Sequence, residues 1–267
     1  MVLRQIVGWG TPVLALVALF VIQLAARREE VLGFWVGAVL VMLIGVGIGA
    51  AAEYHARLHA SYARVGDRLS YTLWILPGLL IWAAGLALML WRPDDLILAR
   101  GLPLFGALLV GLAIFAQDRE IASADEAAEP TTLPKQLLSL LTYLAAFGLF
   151  TLVYQIKERS LISATTTAFV AAVLSLVLLR GAGAARQRTL LYAALIGVSL
   201  GEVTWALNYW VVRELVGGAV LLLIYYVLVG LIEIVLRGEL SRRLLTEYLG
   251  VGIVGFLFIL STAPWRP

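Results

Sequence analysis

GFWVGAVLVMLIGVGIGAAA, residues 33–52, runs for twenty residues without a charged side chain. Twenty helical residues rise about 30 Å, the thickness of a bilayer's hydrocarbon core. Lipid offers no hydrogen-bond partner to backbone amides, so a run of this kind must close its bonds internally, as an α-helix. It also lacks the apolar–polar alternation of a membrane barrel strand.

Eight further stretches pass the same test. The predicted spans are 6–26, 31–52, 69–91, 96–116, 136–156, 160–180, 190–212, 216–236 and 244–262, or eight in all if one of the short ones is re-entrant. Composition agrees: 62% of the 267 residues are hydrophobic and 14% are charged, against roughly 25% charged in a soluble domain. Mean hydropathy is +0.96. A water-soluble globule is excluded. The expected fold is all-α, a polytopic transmembrane helical bundle forming a single integral membrane domain over 1–267, with short loops and no soluble domain. The first run is too long for a signal-peptide core and lacks a small-x-small site before Arg27 and Arg28, so it reads as a retained helix.

Lysine and arginine counted on alternate connections favour one side, twelve to eight. That places the N-terminus in the cytoplasm and the chain in the cell's inner (plasma) membrane. The net charge of +3 is spread over the loops, which fits anchoring to anionic membrane lipids and gives no nucleic-acid surface. The longest connection, 117–135, is acidic, carries Pro130 and Pro134, and reads as a flexible loop. The absence of cysteine removes disulfides and thiolate-bound metals. No Gly-rich phosphate loop and no lysine in mid-span occur. No cofactor is predicted.

Gly33, Gly37, Gly45 and Gly49 in the second span have the four-residue spacing that lets helices approach closely. They can serve a homodimer or another protein partner, or pack the helix inside its own bundle. Pro77 and Pro103 predict kinks or broken first turns. Trp9, Tyr71, Trp74, Trp91, Tyr154, Trp210 and Trp265 fit an interfacial aromatic belt, whereas Trp82 and Trp205 lie well inside their spans.

The seventh span contains SLGEVTWALNYWVV, residues 199–212, with a carboxylate and the chain's single asparagine. Glu202 is the thirteenth of the 23 residues 190–212, a position where an acidic group costs at least about 2.5–3.5 kcal/mol unless it is neutral, paired or wetted. At 100° per residue, Trp205 and Tyr209 lie near the Glu202 direction, while Thr204 and Asn208, with Gly201, face elsewhere. One face can hold helices together and the other line a site that handles a proton, a cation or a polar headgroup. In the eighth span Tyr226, Gly230, Glu233 and Arg237 form one stripe, with Glu233 and Arg237 at pairing distance. Glu247 opens the ninth span as an interface residue.

His55 and His59, the chain's two histidines, are four apart in EYHARLHASYARVGDR, residues 53–68. A continued helix would give them metal-ligand spacing, with Glu247 or Asp118 as a third ligand. The alternative is a helix running into the headgroups, with Glu53 paired to Arg57 and the imidazoles among lipid phosphates.

Three functions follow. A small-solute or proton/cation-coupled transporter would use Glu202 as its coupling group. A non-catalytic membrane subunit or assembly factor would use the polar groups as packing. A lipid- or isoprenoid-modifying enzyme would use Glu202 or Glu233 as acid or base. Transport is the first expectation.

Overall fold

A computed structural model describes residues 2–27, 34–59, 62, 73–91, 96–123, 132–156, 160–182, 185–210, 213–239 and 241–262. Among these, nine α-helices and no strand are present. They are α1 (Val2–Arg27), α2 (Phe34–Arg57), α3 (Ile75–Trp91), α4 (Leu96–Ser123), α5 (Thr132–Ile156), α6 (Ser160–Leu179), α7 (Arg186–Leu207), α8 (Glu214–Arg237) and α9 (Arg242–Thr262). A 3-10 turn, Arg180–Ala182, follows α6. Eight of the described helices are long and apolar enough to cross a membrane, and α3 is a shorter apolar helix of 17 residues. The polytopic all-α architecture expected from the apolar runs is therefore what the chain forms.

The chain divides into two compact units, Met1–Leu141 and Thr142–Pro267. In the first, α2 lies along α3, and α1 packs on α4 as well as on both of these helices. The spaced glycines of α2 are spent here: a Cβ at Gly45 would stand 2.7 Å from the Gly78 carbonyl oxygen, and Gly37 and Gly49 press on Met89 and Trp74. Of the two uses open to this spacing, the described glycines serve packing inside the chain; Gly33 lies outside the described residues. Two glutamines tie the helices by donating to backbone oxygens, Gln23 to Ala99 at 2.6 Å and Gln117 to Leu73 at 3.0 Å. An amide in hydrocarbon needs such a partner, because no water is there to replace it.

In the second unit α6 and α7 are the most closely packed pair. A Cβ at Gly197 would stand 2.5 Å from the Ala168 oxygen, and one at Gly201 3.0 Å from the Ala164 oxygen. Only glycine allows the two backbones so near each other. Further on, α8 sets Gly217 and Gly218 against Tyr154 and Thr151 of α5. It ends at Gly238, whose φ of 71° places it in the left-handed region that caps helices. The last helix, α9, lies on α8, with Gly230 beneath the Tyr248 ring.

Several boundaries and placements differ from the sequence expectation. Helix α4 continues to Ser123, so 117–123 are helical and not loop. Asp118, Gln117 and the fully buried Ile121 give this extension packing and hydrogen bonds inside the unit. At its other end 132–135, with Pro134, form the first turn of α5 and not loop; residues 124–131 lie outside the described residues, as do Tyr71 and Trp265. Pro77 is the third residue of α3, where its missing N–H costs no helical bond. Tyr154 is fully buried against protein, and its hydroxyl donates to backbone oxygens.

Candidate functional site

Helix α7 runs from Arg186 to Leu207, earlier at both ends than the expected 190–212. The shift has a local cause. Tyr154 Oη lies 3.0 Å from the Leu207 oxygen and 3.2 Å from the Trp210 oxygen. The Leu207 oxygen also accepts from the Trp210 N–H at 2.9 Å, so Tyr154 adds a donor to the carbonyls where the chain turns at 208–210. Glu202 is consequently five residues before the helix end rather than at its middle, about 7.5 Å along the axis. A helical Cα–Cβ bond tilts toward the helix N-terminus, so the Glu202 side chain starts on the side away from that end.

The two faces expected for this helix are present. Thr204 is fully buried and donates to the Leu200 oxygen at 2.8 Å. Asn208, the C-cap, donates from Nδ2 to Ser163 Oγ of α6 at 2.6 Å. The opposite face is exposed: Leu191, Leu195, Val198, Glu202, Trp205 and Tyr209 are all open. Their spacing of four, three, four, three and four is that of a helix-docking seam. Trp205 and Tyr209 meet edge to face, with centroids 6.1 Å apart. Among the described residues, Glu202 makes no hydrogen bond and no ion pair.

Tyr226 and Glu233 of α8 belong to a separate group. Tyr226 touches Tyr143 of α5 and Tyr248 of α9, each at 5.7 Å between centroids. Tyr143 also meets Tyr225, edge-on at 6.0 Å. Tyr225 is fully buried, stacks against Phe150 and lies 3.3 Å from Ser175 Oγ. Glu233 pairs with Arg237 one turn on. Rings this close leave no space between them for a ligand, so the group works as an aromatic core with an ion pair at its edge. Sequence spacing supplied Tyr226 and Glu233 but not Tyr143, Tyr225 or Tyr248, whose meeting depends on which helices are neighbours.

His55 and His59 do not share a helical face, because α2 ends at Arg57 and His59 sits in the bend that follows. His55 is not among headgroups either. It is 3% exposed, with Nε2 2.9 Å from Asp118 Oδ2. Asp118, named as a possible third ligand, is instead a hydrogen-bond partner. Among the described residues no group of three metal-ligating side chains forms. Glu53 pairs with Arg57 at 2.6 Å, as the four-residue spacing predicts. Glu247 is more than half exposed and pairs with Arg243 at 3.1 Å. Trp82 is half-buried, with its indole N–H lacking a hydrogen-bond partner among the described residues.

No curated protein and no solved structure matches the chain. Residues 8–262, nearly the whole bundle, match the family model described as a protein of unknown function, DUF5656, and the chain belongs to that family.

Proposed function

We propose that this multi-pass membrane protein acts as a non-catalytic membrane subunit, docking a partner through the outward face of α7. The observation that carries the proposal is Glu202: an ionisable side chain, unpaired among the described residues, on an exposed six-position seam of a membrane-spanning helix. A lone acidic group facing lipid is costly, and cover by another protein removes most of that cost. A transporter would instead need this carboxylate on a wetted path between helices. The polar groups on the other face, Thr204 and Asn208, are occupied by backbone and Ser163 and act as packing.

Site-specific photo-cross-linking in native membranes tests this. A cross-linker at Val198 should capture one discrete protein, while one at Ile253, exposed on α9, should capture lipid. Lipid adducts alone from both positions would overturn the subunit role.

A further inference from the structure

The partner for Glu202 has to offer a hydrogen-bond donor or a cation at its depth. One such group is in this chain. Arg100 is the fifth residue of α4 and is exposed. It makes no hydrogen bond and no ion pair among the described residues. Its Cα lies about 6 Å from the start of α4, close to the 7.5 Å that separates Glu202 from the end of α7. Crossing parity puts these two depths on the same side of the membrane. Each of α4, α5, α6 and α7 is long enough to cross, so the start of α4 and the end of α7 fall at one surface. The face around Arg100 is also open and apolar: Leu104, Phe105 and Leu108 are each more than half exposed.

Resting on the subunit reading, we infer that the partner is a second copy of this chain, whose α4 lies antiparallel along α7 with Arg100 paired to Glu202. Antiparallel alignment at that pair sets Leu104 opposite Val198, each four residues deeper, and continues toward Leu108 and Leu195. Arginine suits the position, because its long stem lies along apolar surface while the guanidinium forks onto a carboxylate. The contact joins two different faces, so it is made twice across a two-fold axis in a dimer, or head to tail in a ring or a row.

The absence of cysteine from the chain makes the test direct. One pool of purified protein carries Leu104→Cys and another Val198→Cys; they are mixed, reconstituted into liposomes and oxidised. The expected product is a disulfide between pools. Glu202→Arg or Arg100→Glu alone should lower its yield about tenfold, and the two together should restore it. Gln at 202 and Leu at 100 are milder variants for the case in which a reversed charge blocks insertion, and each should lower the yield severalfold. Circular dichroism and gel filtration confirm that every variant is folded. Yields unaffected by the single changes, or not restored by the double change, would overturn the pairing. A third sample with both cysteines in one chain should cross-link between copies, and a disulfide confined to the single chain would also overturn the pairing. If Val198 captures a different protein in native membranes while purified copies stay apart, this inference falls and the subunit role stands.

Discussion

His55 Nε2 lies 2.9 Å from Asp118 Oδ2, joining α2 to α4 across 63 residues of sequence. One ring nitrogen is held against the carboxylate, and the other, Nδ1, is buried with no hydrogen-bond partner among the described residues. Helix α1 closes over the ring at Gly8, where a Cβ would stand 2.7 Å from His55 Cε1. Removing the acceptor would leave both ring nitrogens unserved in a dry site. Asp118→Ala should cost about 1–3 kcal/mol, whereas Asp118→Asn keeps a hydrogen bond and should lose less. Thermal unfolding in micelles, followed by circular dichroism, checks the order. An alanine variant as stable as the parent would remove this pair from the account of folding.

The α6–α7 seam depends on the absence of side chains at two positions. Gly197→Val should push α7 off the Ala168 carbonyl and destabilise the protein by about 1–3 kcal/mol. Gly47, with nothing within 4 Å of its missing Cβ, is the control, and Gly47→Ala should be neutral or slightly stabilising. Unfolding by increasing sodium dodecyl sulfate in mixed micelles would rank them; equal midpoints for the two variants would contradict the close-packing argument.

Tyr154→Phe removes one hydroxyl and nothing else. The Trp210 carbonyl then loses this donor, and the Leu207 carbonyl keeps only the Trp210 N–H at 2.9 Å, at a cost of about 0.5–1.5 kcal/mol. The loss is local, so hydrogen exchange should quicken at 208–210 while the middle of α7 keeps its protection. Unchanged exchange there would mean that water or lipid headgroups serve these carbonyls equally well.

Gly230 seats the Tyr248 ring, and any Cβ there meets ring carbons. Gly230→Ala should loosen α9 from α8 without unfolding α6, α7 or α8. Limited proteolysis at 239–242 would read the change, with faster cleavage in the variant expected. A cleavage rate equal to the parent's would show that the helix pair tolerates the methyl group.

The helices were legible because a membrane imposes a length: each span needs about twenty apolar residues, and the runs supply them. Pairs within one helix were legible for the same kind of reason, since Glu53 with Arg57 and Glu233 with Arg237 follow from a four-residue spacing alone. What could not be read is whatever depends on neighbours. The end of α7 at Leu207 is set by a tyrosine 53 residues earlier, and residues 207–212, Leu-Asn-Tyr-Trp-Val-Val, remain as apolar as a continuing helix. Helical angles separated Glu202 from Thr204 correctly, yet which face meets α6 depends on Gly197 and Gly201. Their role needs the positions of Ala164 and Ala168. Arg100 counts in the sequence only as one of the eight basic residues of its side, because a basic residue near a span's end ordinarily reads as a headgroup anchor.

No described residue of α9 is buried, and its close packing is with α8. This helix also follows every other described helix in the chain, which gives the feature a meaning in time. At roughly 5–20 residues per second, synthesis of the 21 residues of α9 takes on the order of one to four seconds. For at least that interval after α8 is made, the bare backbone of Gly230 and the side chain of Leu223 lack the cover that α9 gives them. The insertion machinery, or lipid drawn from the bilayer, must cover that strip until the final helix emerges and displaces it.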